Sequence, residues 1–69
     1  MTFQDWIDEK TPQTLHDVLG VPQGTIRVWR HRNVIPRNVW PDILKEWRHL
    51  GVDVADLLAM ETASKPVNP

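Results

Sequence analysis

The stretch Gln13-Thr14-Leu15-His16-Asp17-Val18-Leu19-Gly20-Val21-Pro22-Gln23-Gly24-Thr25-Ile26-Arg27-Val28-Trp29 decides the fold. It reads as two short helices with almost nothing between them. Thr11-Pro12 opens the first, because a threonine hydroxyl caps the free amides of a first turn and proline at the first helical position loses no hydrogen bond. Leu15, Val18 and Leu19 then recur along one side at helical spacing. Gly20 supplies a residue that takes the left-handed conformation in which helices end without strain. Val21-Pro22 begins again at once, so helices over 12–19 and 22–33 are separated only by Gly20 and Val21. A joint that short forces two helices to cross steeply, which is helix-turn-helix geometry.

Outward from this unit the chain continues to read as helix. Residues 2–9 place Phe3, Trp6 and Ile7 at helical spacing, with Thr2 as N-cap. Ile35-Pro36 ends the third helix, since the residue before a proline is pushed out of helical conformation. A fourth helix is expected from Asn38 to Leu50, with Asn38 as cap, Pro41 in its first turn and Gly51 as its stop. Asp53 should cap a last helix that carries Val54, Leu57 and Leu58 and ends near Glu61. No alternating β-branched run and no Asn-Gly or Asp-Gly hairpin signal appears. The expected fold is therefore an all-α compact bundle of about five short helices, one domain over 1–61, with a polar, proline-containing tail over 62–69 expected to be disordered.

Length and composition narrow the chemistry. Sixty-nine residues make a single small domain with a modest core. With no cysteine, neither a disulfide nor a thiolate-metal site can staple it, so helix packing and self-association remain. Trp6, Trp29, Trp40 and Trp47 supply large apolar area. No apolar run is long enough to span a bilayer and no signal peptide opens the chain, which points to a cytoplasmic setting with no membrane partner.

The net charge of −1 conceals a segregation. Residues 1–19 carry −3 and residues 38–69 carry −2. Between them, residues 20–37 hold Arg27, Arg30, Arg32 and Arg37 with no acid, a balance of +4. A basic segment between two acidic ones implies one surface suited to a polyanion. At about 100° per residue, Ile26, Trp29 and Asn33 of the third helix share the core side. Gly24, Arg27, Val28 and His31 lie opposite, flanked by Gln23, Arg30 and Arg32. A stripe of arginine, glutamine and a small apolar residue suits the major groove of double-stranded DNA: arginine pairs with guanine, glutamine with adenine, and an apolar side chain meets a thymine methyl. The expected base contacts are Gln23, Gly24, Arg27, Val28 and His31, with Gly24 leaving room where the helix would come nearest the bases. The expected phosphate contacts are Gln13, Thr25, Arg30, Arg32 and Arg37.

The stretch from Gln13 to Trp29 resembles the helix-turn-helix of the Cro and phage-repressor superfamily, with apolar residues at Leu15, Leu19, Val21, Ile26 and Trp29 and glycine at Gly20. His16 departs from the pattern, because the family usually has alanine there, where the two helices nearly touch. Either His16 sits at the edge of the contact or the crossing is slightly opened. The following run, Val28-Trp29-Arg30-His31-Arg32-Asn33-Val34-Ile35-Pro36 and then Trp40-Pro41, is similar to the phage-derived carph-isopro domain family of alphaproteobacteria, over roughly residues 11–60. The resemblance implies a lambda-repressor-like domain of about five helices that binds DNA in the bacterial cytoplasm, at the nucleoid.

Enzymatic chemistry is not expected. His16, His31 and His49 stand far apart without paired metal-ligand spacing, Ser64 is the only serine, and no glycine-rich phosphate loop occurs. Neither a cofactor, a metal nor a small-molecule substrate is implied. Two functions remain. The first is a sequence-specific transcriptional regulator, a repressor acting as a homodimer whose recognition helices lie about 34 Å apart. Its dimer surface would involve Leu57, Leu58 or Met60 of the last helix, or the region of Trp6. The second is a helical protein-interaction module, such as an antitoxin or a phage accessory or excisionase-like factor.

Overall fold

The computed structural model describes residues 1–64, which form six α-helices and one 3-10 turn, with no strand among them. α1 spans Phe3–Lys10, α2 Pro12–Leu19 and α3 Gln23–Arg32. The 3-10 turn Arg37–Val39 leads into α4, Trp40–Lys45, followed by α5, Trp47–Leu50, and α6, Val54–Ser64. The all-α bundle expected from the sequence is what the chain forms. Phe3, Ile7, Leu15, Ile26, Ile35, Ile43, Leu50 and Leu57 are its fully enclosed side chains, so every helix contributes to one core.

α1 begins as its sequence requires. The Thr2 hydroxyl accepts from the Asp5 amide, and the Asp5 carboxylate accepts from the Thr2 amide, a reciprocal capping box. The two amides between them find partners far along the chain. The Phe3 amide donates to Ser64 Oγ at 2.9 Å and the Gln4 amide to Asn33 Oδ1 at 2.8 Å. The amide ends of the first helix are thereby tied to α6 and to the end of α3.

A single residue, Thr11, joins α1 to α2. Its amide donates to the Ile7 carbonyl at 2.8 Å and its hydroxyl accepts from the Thr14 amide, closing one helix and capping the next. Its ψ of 145° suits a residue before proline, but its φ of +70° is strained for a β-branched side chain, at a cost of about 1–3 kcal/mol. α3 ends at Asn33, which is left-handed at φ 57°. There the Val34 amide reaches the Trp29 carbonyl and the Asn33 amide reaches Arg30, the paired bonds of a Schellman cap.

The expected fourth helix, Asn38 to Leu50, is not continuous. It is divided into the 3-10 turn, α4 and α5, with the break at Glu46, where φ is −105° and ψ is 25°. On an unbroken helix Trp47 would lie about 20° from Trp40 and share its buried side. The break turns Trp47 outward: Trp40 is 5% exposed and Trp47 52%. Ile43 and Leu50 both stay enclosed on either side of it.

The last helix starts where Asp53 exchanges hydrogen bonds with Asp56, as the expected cap, but it runs three residues past Glu61. Thr62 bonds back to the Leu58 carbonyl, and Ser64 is held by the Phe3 amide. Residues 62–64 of the expected tail are therefore helical, and the rest of it lies outside the described residues. The same docking removes most of the expected dimer surface. Leu57, Met60 and Trp6 are buried in the core, and Leu58 alone of that set is exposed.

Candidate nucleic-acid interface

Among the helices, α3 packs chiefly on α1 and α2. Ile26 and Trp29 bury its inner side, and Leu19 and Val21 pack against the core from the turn. Gly20 is left-handed at φ +71°, and its amide closes α2 on the His16 carbonyl at 2.8 Å. His16 is half-buried, and its Nδ1 donates to the Val21 carbonyl at 2.8 Å. That bond requires the proton on Nδ1, because a carbonyl only accepts. His16 thus clamps the turn.

The outer side of α3 carries Gly24, Arg27, Val28 and His31, all exposed, in one row of helical spacing. Val28 is 47% exposed despite its apolar side chain. A Cβ added at Gly24 would meet nothing within 4 Å. Internal packing therefore gives no reason for a glycine that weakens the helix. Thr25 and Arg32 are also exposed, and Arg32 has no ion-pair partner among the described residues.

A chain of polar contacts crosses from α2 to α3. Gln13 Nε2 donates to Asp17 Oδ1 at 2.9 Å, Gln23 Nε2 donates to Gln13 Oε1 at 2.7 Å, and Arg27 Nη2 makes a long contact with Gln23 Oε1 at 3.4 Å. Three expected site residues, Gln13, Gln23 and Arg27, are therefore brought together.

Two others are drawn elsewhere. Arg30 forms a two-pronged ion pair with Asp8 of α1, and Gln4 donates to the Arg30 carbonyl. Arg37 grips Glu61 of α6 with bonds of 3.0 and 2.6 Å, and its guanidinium lies 4.4 Å from the centre of the Trp40 ring. The hydrogen bonds from Arg30 hold the Asp8 carboxyl below its usual range and raise the Arg30 guanidinium in turn; Glu61 raises Arg37 in the same way. Half of the arginine charge in the basic segment is thus already matched by carboxylates from outside it. Asp8 and Glu61 stand 22 and 24 residues from their arginines, beyond the reach of any local spacing rule. Gln13 and Asp17, by contrast, stand at i,i+4 on a helix, a pairing visible in the sequence.

No group of three or more metal-ligating side chains occurs among the described residues, and none of their helices is long and apolar enough to cross a membrane. Comparison with protein-family models, curated proteins and solved structures finds no match to the chain.

Proposed function

We propose that the chain is a sequence-specific DNA-binding regulator of transcription, a repressor of the Cro and phage-repressor helix-turn-helix type, nearest to the carph-isopro group, with α3 in the major groove. One observation carries the reading: α3 is anchored by Ile26 and Trp29 within, while Gly24, Arg27, Val28 and His31 form an uncovered outer row. Arg27 would pair with guanine and Gln23 with adenine, and Val28 would meet a thymine methyl. Gly24 would let backbone and base edges approach closely. Gln13, Thr25 and Arg32 would hold phosphates, which fix register without reading sequence. Arg30 and Arg37, each already paired with a carboxylate, would join them through their remaining N–H groups or by exchanging Asp8 and Glu61 for phosphate oxygens. The chain would act as a homodimer in a bacterial cytoplasm, at the nucleoid, and would require neither cofactor nor catalysis.

The test is titration of the full chain with random-sequence duplex at several salt concentrations. Binding should weaken steeply with salt, because arginines meeting phosphates release counterions. Removing Arg32 should flatten that dependence by about one unit of slope. Absence of binding at low salt would overturn the reading. A second reading, a protein-interaction module such as an antitoxin or phage accessory factor, is favoured by the exposure of Trp47, Val54 and Leu58.

A further inference from the structure

The contacts from Asp17 to Arg27 have a direction, and the chemistry at the two ends dictates it. A carboxylate can only accept and a guanidinium can only donate. Gln13 must therefore turn its NH2 toward Asp17, which leaves its oxygen for Gln23. Gln23 must then turn its NH2 toward Gln13, which leaves its oxygen for Arg27. A reversed Gln23 amide would set NH2 against guanidinium at one end and oxygen against oxygen at the other. Both ends favour the same arrangement, but the Asp17 end acts through bonds of 2.9 and 2.7 Å and the Arg27 end through a contact of 3.4 Å, so the Asp17 end carries the greater weight.

The geometry points to Asp17 as a positioning residue that sets, through Gln13, which way round Gln23 offers its amide to a base. The inference rests on the DNA-binding reading of α3 and adds to it a residue that touches no base. In the selected arrangement Gln23 retains one amide hydrogen and one oxygen lone pair beyond those used internally. Adenine needs that pair in a fixed left-to-right order, a donor for N7 and an acceptor for the N6 amino group. Reversing the amide reverses the order. Asp17 therefore contributes to adenine preference at one position of a site while carrying the wrong charge to attract DNA itself.

The test is selection of bound sequences from a random duplex library by the full chain, its Asp17→Ala variant and its Asp17→Glu variant. Asp17 is exposed and alanine is a good helix former, so the variant keeps the fold. The unaltered chain should enrich adenine at one position. Asp17→Ala should reduce that preference about three- to tenfold, the worth of one directed hydrogen bond, and leave other positions unchanged. Asp17→Glu, which restores an acceptor-only group within reach of Gln13, should recover it. Loss of a negative charge tightens binding to all sequences alike and cancels from a preference, and a purely structural role for Asp17 would not act at a single base position. An unchanged adenine preference in Asp17→Ala would overturn the positioning role and leave the DNA-binding reading intact. Failure of the unaltered chain to enrich any sequence would overturn both.

Discussion

The two halves of the chain differ in how they turn their corners, although both also carry long-range ties, Asp8 to Arg30 and Gln4 to Asn33 in the first. Residues 2–33 turn their corners with devices confined to a few residues: a capping box at Thr2 and Asp5, one residue at Thr11, left-handed Gly20 and left-handed Asn33. Residues 34–64 are closed by ties of longer reach, Arg37 to Glu61, the edge-to-face pair of the Trp40 and Phe3 rings, and Ser64 to the Phe3 amide. Long-range closure packs α6 on α1 and Trp40 of α4 on Phe3, and among the described residues nothing packs over the outer row of α3. The surface proposed to meet DNA is therefore the one that the rest of the bundle has no use for. Its orientation depends on short, stiff joints, which suits an element that must present side chains to a groove without rearranging.

Replacing one tryptophan in each half should give the largest contrast. Trp29→Ala removes a buried anchor of α3 and should cost about 3–5 kcal/mol, comparable with the whole stability of a chain this short. Trp47→Ala removes an exposed ring and should cost under about 0.5 kcal/mol. Urea melts of both variants decide it; equal losses would mean that the break at Glu46 does not turn Trp47 out of the core.

Next in size is the effect proposed for the outer row. Arg27→Ala should reduce discrimination at one base position by about 1–3 kcal/mol and leave thermal stability unchanged. Equal losses on all sequences would make Arg27 a phosphate contact only.

The joint that ends α3 is a smaller lever. Asn33→Ala should cost about 2 kcal/mol, combining left-handed strain with loss of the acceptor for the Gln4 amide, whereas Asn33→Gly should lose only about 1 kcal/mol. Identical melting of the two variants would show that conformation contributes nothing there.

These joints also explain what was legible in the sequence. Pro12, Gly20, Gly51 and Asp53 act on their immediate neighbours, and each stands at a boundary that its residue type announces. The phase of α3 was equally legible, because Ile26 and Trp29 are large enough to specify an inner side on their own. Glu46 gives no warning: without glycine or proline, the spacing from Trp40 to Leu50 fits an unbroken helix, yet Leu50 and Val52 dock in the core while Trp47 is left outside. The burial of three residues of the expected dimer surface is hidden in the sequence for the same reason. Leu57, Met60 and Trp6 look available on isolated amphipathic helices and are consumed when α6 closes over α1. In the site, the row of Gly24, Arg27, Val28 and His31 followed from periodicity alone. The carboxylates that occupy Arg30 and Arg37 did not, since only the tertiary fold brings Asp8 and Glu61 to them.

Gly24 offers a gain in stability set against a loss of binding. Gly24→Ala should stabilise the fold by about 0.5–1 kcal/mol, as no neighbour obstructs a methyl group. The same methyl should weaken DNA binding if base edges approach the backbone there. A variant both more stable and equally tight in binding would remove Gly24 from the interface.

The smallest expected effect is one of pH. The Asp8 carboxyl lies below its unfolded value of about 3.9, so its pair with Arg30 stabilises the fold above that pH. The contribution is lost as pH falls through the lower folded value. Melting temperatures taken from pH 7 to pH 3 should therefore drop slightly more for the unaltered chain than for Asp8→Asn. The difference stays small because both partners are exposed. Parallel curves would leave the pair without weight.

The most direct test of α3 as the DNA-reading element is a backbone amide NMR titration of the full chain with a short duplex at low salt. The largest shifts should fall at Gln23, Gly24, Arg27, Val28 and His31, smaller ones at Gln13 and Arg32, with little change at Trp47, Val54 and Leu58. Shifts concentrated on Trp47, Val54 and Leu58, or no shifts at all, would contradict it.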